Sequence, residues 1–199
     1  ISTTLVSAPT PAPPFLGPTA TPFASDQAID AFAHRVTAEG ALAEEKAKQL
    51  YRSLLKLKKQ HQLRERSGNA PSIHLPKTAP QLYKILSSDA PRSYQPNCYE
   101  LTLLFIAASR ALNINAFGIE DASIVDEGQI GHIVAGVKSP QHKDPFIFDL
   151  QNESTQPLQQ PVVVSDSTLT AHYYNHQGVS LYLGEDYPLS LEALTTAVK

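Results

Sequence analysis

Apolar residues recur at Ile29, Phe32, Ala33 and Val36, the spacing of one face of an α-helix. Ser25 or Asp26 offers a cap in front of that stripe, and Gly40 stands where a glycine commonly ends a helix. A second stripe, Ala43, Ala47, Leu50, Tyr51, Leu54 and Leu57, predicts a helix over 41–64. Its other faces carry Lys46, Lys48, Arg52, Lys56, Lys58 and Lys59, which read as a solvated surface. "TAPQLYKILSS" predicts a short helix over 78–88 with proline at its start. Residues 97–112 make the most apolar helix, from Leu101 through Ala108. A helix apolar on all sides is buried on all sides.

Beyond Asn113 the period changes to two. Ala116–Glu120, Ile130–Val137, Phe146–Leu150 and Val162–Val164 read as short strands. Helices followed by a small antiparallel sheet predict an α+β layer fold, with the N-terminal helices packed on the sheet. The chain closes with "AHYYNHQGVSLYLGEDYPLSLEALTTAVK". Here Gly178, Leu181, Gly184, Ser190, Leu194 and Ala197 hold the small and apolar positions of a tetratricopeptide-like helix–turn–helix repeat. One such repeat cannot bury its own face, so it docks on the domain as a cap or further repeats follow it. Residues 1–24 carry six prolines between Pro9 and Pro22 and read as an extended linker or tether. "RSGNAPS" (66–72) and "DAPRSYQP" (89–96) read as loops. The expected division is therefore a tether over 1–24, a domain over 25–168 and a helical hairpin over 169–199.

Composition adds exclusions. With 42% apolar and 18% charged residues, the 199-residue chain has the makings of a core. A net charge of −3, with no motif beside the basic helix face, points away from nucleic acid. No apolar run approaches the roughly 20 residues of a membrane span. There is no glycine-rich phosphate loop or dinucleotide fingerprint, and no cofactor is expected. The start at Ile1, without methionine, reads as a trimmed end, compatible with a signal peptide or lipid anchor upstream.

The single cysteine lies in "PNCYELTLLF", 96–105. Asn97 is a good N-cap, and Glu100 three residues on completes a near relative of the capping box. Cys98 then occupies the first helical position, where the helix dipole and free N–H groups lower a thiol pKa. Those N–H groups also suit an oxyanion. A thiolate needs a base, and the base needs a group to hold its tautomer. His132, opening "HIVAGVK", and Asp149, in "FIFDL", fit those jobs. An antiparallel pairing that sets His132 opposite Asp149 also sets Val134 against Ile147, Ala135 against Phe146 and Lys138 against Lys143. It leaves Ser139–His142 as a four-residue hairpin loop. Asp144 competes as the acid but sits in a "KDP" turn, and His142 competes as the base but sits in the loop. Gln95, just upstream, is a candidate oxyanion donor. His172 and His176 stand four apart on a helix, a spacing that can hold zinc, with no acidic or cysteine partner nearby in sequence; surface residues are the plainer reading.

"NCYELTLLFIAASRALNINAFGI", "GHIVAGV" and "FIFDL", in that order, resemble the core of the transglutaminase-like superfamily over residues 40–165. In that family a cysteine starts a buried helix, and a histidine strand and an aspartate strand follow. Asn113 replaces the usual helix-ending glycine, "FDLQ" replaces the commoner Asp-Pro, and no aromatic follows the histidine. The resemblance implies a papain-like core with Cys98 as nucleophile, His132 as general base and acid, and Asp149 as its orienter. Its pairing with tetratricopeptide-type helices resembles bacterial exported proteins, so an exported or periplasmic location is expected. The expected function is thiol-dependent acyl transfer on protein or peptide amides, as protease, deamidase or transglutaminase. The alternative is a catalytically silent protein-binding module of the same fold. A protein partner through the C-terminal hairpin is expected in either case.

Overall fold

The computed structural model describes residues 21–64, 75–88, 94–121, 132–154 and 158–198. Most of the proline-rich start, the 66–72 loop, most of the 89–96 approach and the first two residues of the Ile130–Val137 strand lie outside them. Within them the fold is mixed α/β, with six helices and a four-stranded antiparallel sheet. The order is α1 (Gln27–Val36), α2 (Ala43–Arg64), α3 (Ala79–Ser87), α4 (Cys98–Ala111), β1 (Ala116–Asp121), β2 (His132–Val137), β3 (Phe146–Phe148), β4 (Pro161–Val164), α5 (Asp166–Leu183) and α6 (Tyr187–Ala197).

Local chemistry sets the helix ends. Asp26 caps α1 by accepting from the Ile29 N–H at 2.9 Å. Thr78 and Gln81 form a capping box that starts α3. Gly40 takes φ 75°, but α1 has already ended at Val36, so this glycine makes the turn into α2 and not a helix cap. At the end of α4, Asn113 takes φ 58°, the left-handed conformation that glycine usually supplies there and that asparagine tolerates.

Helix α4 is the centre of the molecule. Tyr99 through Ser109 are all buried. Helices α1, α2 and α3 pack against it, and so do β1 and β2. The sheet order is β3-β2-β1-β4. On its core face Ile133, Ala135, Val137 and Phe148 join α4, where Phe105 stacks on Phe148 at 5.0 Å between ring centroids. The first half of α5 belongs to the same core through Leu169, Tyr173 and Tyr174. Its second half pairs with α6. Leu194 leaves no room for a Cβ on Gly178, and the Ser190 hydroxyl donates to the Gly178 carbonyl at 2.8 Å.

Two expectations are corrected here. Pro22 and Phe23 are not tether: both are buried, the Pro22 carbonyl accepts from Ala79 N–H at 2.8 Å, and Arg110 lies over the Phe23 ring. The β2–β3 register differs by two residues from the expected one. Ala135 pairs with Phe148, Gly136 with Ile147 and Val137 with Phe146, so 138–145 form the connection in place of the tight loop at 139–142. Lys138 turns instead to the Asn115 carbonyl at 3.2 Å.

Because α4 is enclosed on every side, truncating Phe105 leaves a void that nothing nearby can fill. Phe105→Ala is expected to lower unfolding stability by about 3–5 kcal/mol in urea titration, with activity-independent spectroscopic readout.

Candidate active site

The site is assembled at the mouth of α4. The Asn97 side chain accepts from Glu100 N–H at 2.9 Å, and Glu100 returns a bond to Asn97 N–H at 3.1 Å. This reciprocal cap fixes Cys98 as the first helical residue, partly exposed. Glu100 itself is buried, at 1% exposure. It also accepts from the Lys77 N–H at 2.5 Å and from the Tyr94 hydroxyl. Burial pushes its carboxyl up, and these bonds work against that shift. One side chain therefore fastens residues 77 and 94–97 around the helix end that carries the thiol.

His132 opens β2 with its side chain 12% exposed, and its Nε2 lies 2.6 Å from Asp149 Oδ2. The ring and the Cys98 thiol also shift each other's titration, which sets them side by side. Cys98, His132 and Asp149 thus come together, although His132 and Asp149 are not directly opposed. The ladder stops at Phe148, and the two side chains converge just past its end. A two-residue offset keeps Asp149 on the required side of the strand, since side chains alternate with period two.

The turn after β3 holds the carboxylate. Gln151 and Asn152 N–H groups each donate to Asp149 Oδ1 at 2.9 Å. The Asn152 amide donates to Asp149 Oδ2 at 3.0 Å and lies 3.3 Å from His132 Nε2. Asp149 and Ser154 exchange backbone bonds at 3.0 and 3.2 Å. Helix α2 grips this turn from behind. The Tyr51 hydroxyl donates to the Asp149 carbonyl at 3.1 Å, and Lys58 Nζ donates to the Leu150 and Gln151 carbonyls at 2.8 and 2.9 Å. Lys58 is 4% exposed, which overturns its reading as part of a solvated basic face. Burial lowers its pKa and raises that of Tyr51 to about 12, so the Tyr51 hydroxyl stays a donor.

The charges follow from these contacts. Burial pushes the Cys98 thiol up, but the His132 bond and the Ile133 and Tyr99 N–H groups outweigh it, and the thiol titrates below its ordinary value. The bond to Asp149 is the main reason His132 is raised to about 10, with the sulfur adding to it and burial opposing it. Burial opposes ionisation of Asp149, while His132 and Asn152 hold it low. The pair therefore favours a protonated ring beside an ionised carboxylate, and it biases the thiol toward its anion.

The other sequence candidates fall elsewhere. Gln95 is exposed on the segment before Cys98, with no hydrogen bond among the described residues. Asp144 lies in the connection between β2 and β3 and does not replace Asp149. His142 sits 3.6 Å from Glu44 and edge-on to Phe146. His172 and His176 flank the Tyr99 ring, His176 stacked at 5.6 Å, and no cluster of three metal-ligating side chains occurs among the described residues. Asn152, Tyr51 and Lys58 were missed as site residues. The "DLQN" run was a usable signal for Asn152, because an amide three residues after a buried aspartate in a turn is placed to bond it. Tyr51 and Lys58 reach the site only through tertiary packing.

A thiolate is the form that reacts with alkylating agents, and a depressed thiol pKa keeps it present as pH falls below 9.0. Iodoacetamide is expected to alkylate Cys98 several-fold faster in wild type than in His132→Ala near pH 6, with the acid limb of the rate profile moving up in the variant. Equal rates in the two proteins, followed by mass spectrometry, would contradict the paired thiolate. No protein family, curated protein or solved structure matches the chain, so its function is inferred from the geometry of this site.

Proposed function

We propose that the protein catalyses thiol-dependent acyl transfer on protein or peptide amides, on a transglutaminase-like, papain-like core. The observation that carries this is the His132 ring bonded to the Asp149 carboxylate and coupled in its titration to the Cys98 thiol, at the N-terminus of a buried helix. Partial exposure of Cys98 supports an enzyme over a silent binding module, whose sulfur would be sealed.

The thiolate attacks the amide carbonyl carbon, forming a C–S bond, and the carbonyl electrons move onto oxygen. Free N–H groups at the start of α4, with Gln95 as a further donor, face that oxyanion in this reading. His132, already protonated, gives its proton to the amide nitrogen as the C–N bond breaks, leaving a thioester and a free amine. The neutral imidazole then takes a proton from water as water attacks the thioester, and collapse returns the thiolate, the imidazolium and a carboxylate product. Asp149 stays ionised throughout and holds the ring. An amine in place of water gives transamidation. Hydrolysis is favoured because water needs no second binding site.

Digestion of a peptide library by the protein, read by mass spectrometry, tests this. Cys98→Ala is expected to abolish turnover and labelling by a peptidyl acyloxymethyl ketone. His132→Ala is expected to lower turnover by about 10²–10⁴-fold. Turnover that survives Cys98→Ala would overturn the proposal.

A further inference from the structure

A cavity of about 520 Å³ opens between α2 and the edge strand β3, and neither Cys98 nor His132 lines it. Tyr51, Phe146, Ile147 and Phe148 form its apolar floor, and Lys48 and Arg52 stand in its wall on the α2 side. Its size is that of a ligand site, and its mix of an apolar floor with few polar groups is typical of one. Two of its lining residues adjoin the turn that carries Asp149: Phe148 directly precedes that residue, and Tyr51 donates to its carbonyl.

The charge in the wall is unbalanced. Lys48 is held by Glu44 at 2.5 Å and lies 5.2 Å above the Phe146 ring. His142 approaches the same glutamate at 3.6 Å. Arg52 is exposed and has no carboxylate within ion-pair reach among the described residues. A guanidinium presents its donors as a planar fork that matches a carboxylate.

The backbone of the edge strand points the same way. Asp149 directs its N–H and C=O to Ser154, away from β2, and its C=O also takes the Tyr51 hydroxyl from α2. Backbone groups alternate sides along a strand, so Ile147 turns its N–H and C=O to that same outer edge, into the cavity wall. An extended peptide laid beside β3 would find a backbone pairing at Ile147 and an apolar floor under its side chains.

We infer that this cavity is a substrate subsite for an extended peptide segment bearing an acidic side chain, with the carboxylate bonded to Arg52 and the backbone paired at Ile147. The inference rests on the acyl-transfer reading for its role in catalysis, and it names the substrate class that reading leaves open. Net binding to the cavity, however, does not require a working thiolate.

The test uses full-length protein with Cys98→Ser, so that binding is read without turnover. The probes are fluorescein-labelled, acetylated hexapeptides of alternating Val and Thr with Glu, Gln or Lys at one internal position, followed by anisotropy. The Glu peptide is expected to bind at least tenfold tighter than the Gln and Lys peptides. Arg52→Glu, at an exposed position where folding is not at stake, is expected to reverse the preference toward Lys. N-methylation of alternate amides in the Glu peptide is expected to weaken binding tenfold in one of the two methylation registers only. Equal affinity for the three peptides, or a preference unchanged by Arg52→Glu, overturns the subsite. In the active protein, Arg52→Gln is expected to raise KM for Glu-containing substrates about tenfold with kcat and iodoacetamide reactivity of Cys98 unchanged. Acidic-peptide binding without any turnover by wild type would sink acyl transfer and leave the cavity standing; turnover indifferent to acidic residues would do the reverse.

Discussion

The burial of Glu100 is the constraint on which the site depends. A carboxylate enclosed in a protein interior is costly unless its oxygens are bonded. Here the bonds come from Lys77 and from Tyr94 and Asn97, two stretches of chain separate in sequence. Satisfying one side chain therefore forces those stretches together at one place, and that place is the end of α4 next to Cys98. The capping asparagine closes the arrangement by taking the Glu100 N–H in return. The thiol owes its position to a glutamate that does not touch it.

A second anchor acts from the opposite side. Helix α2 holds the turn after β3 through Tyr51 and Lys58, and the turn holds Asp149 through the amides of Gln151 and Asn152. His132 stands between the two anchors, with Nε2 on the carboxylate and its ring coupled to the thiol. This explains the distribution of charge: the carboxylate end stabilises a proton on the ring, and the protonated ring stabilises the sulfur anion. The buried ammonium of Lys58 fits the same logic, since carbonyl oxygens replace the water it gives up.

Local chemistry was legible in the sequence, and long-range chemistry was legible only in part. The cap at Asn97, the enclosure of α4 and the four strand segments follow from residue type and period, which act over a few neighbours. The convergence of Cys98, His132 and Asp149 was also readable, because an aspartate in an apolar strand needs a partner. The β2–β3 register was not: a short polar loop and a longer one satisfy the same alternation, and the sequence does not by itself decide between them. Lys58 and Tyr51 were hidden for a different reason. On a helix wheel Lys58 sits among solvated cations, and only the turn arriving from residues 149–154 covers it. Phe23 was masked by the prolines around it, which mark extended chain but say nothing of what an aromatic among them packs on.

The register of β2 against β3 has a consequence for how this hairpin can vary. Residues 138–145 lie outside the ladder, so residues added or removed there change the length of the connection and leave the pairing alone. A slip of the ladder itself is another matter: one residue would turn Asp149 to the opposite face, away from His132 and among apolar side chains. The carboxylate is thus guarded by the strand pairing, and the connection is the part of the hairpin whose length is free to vary.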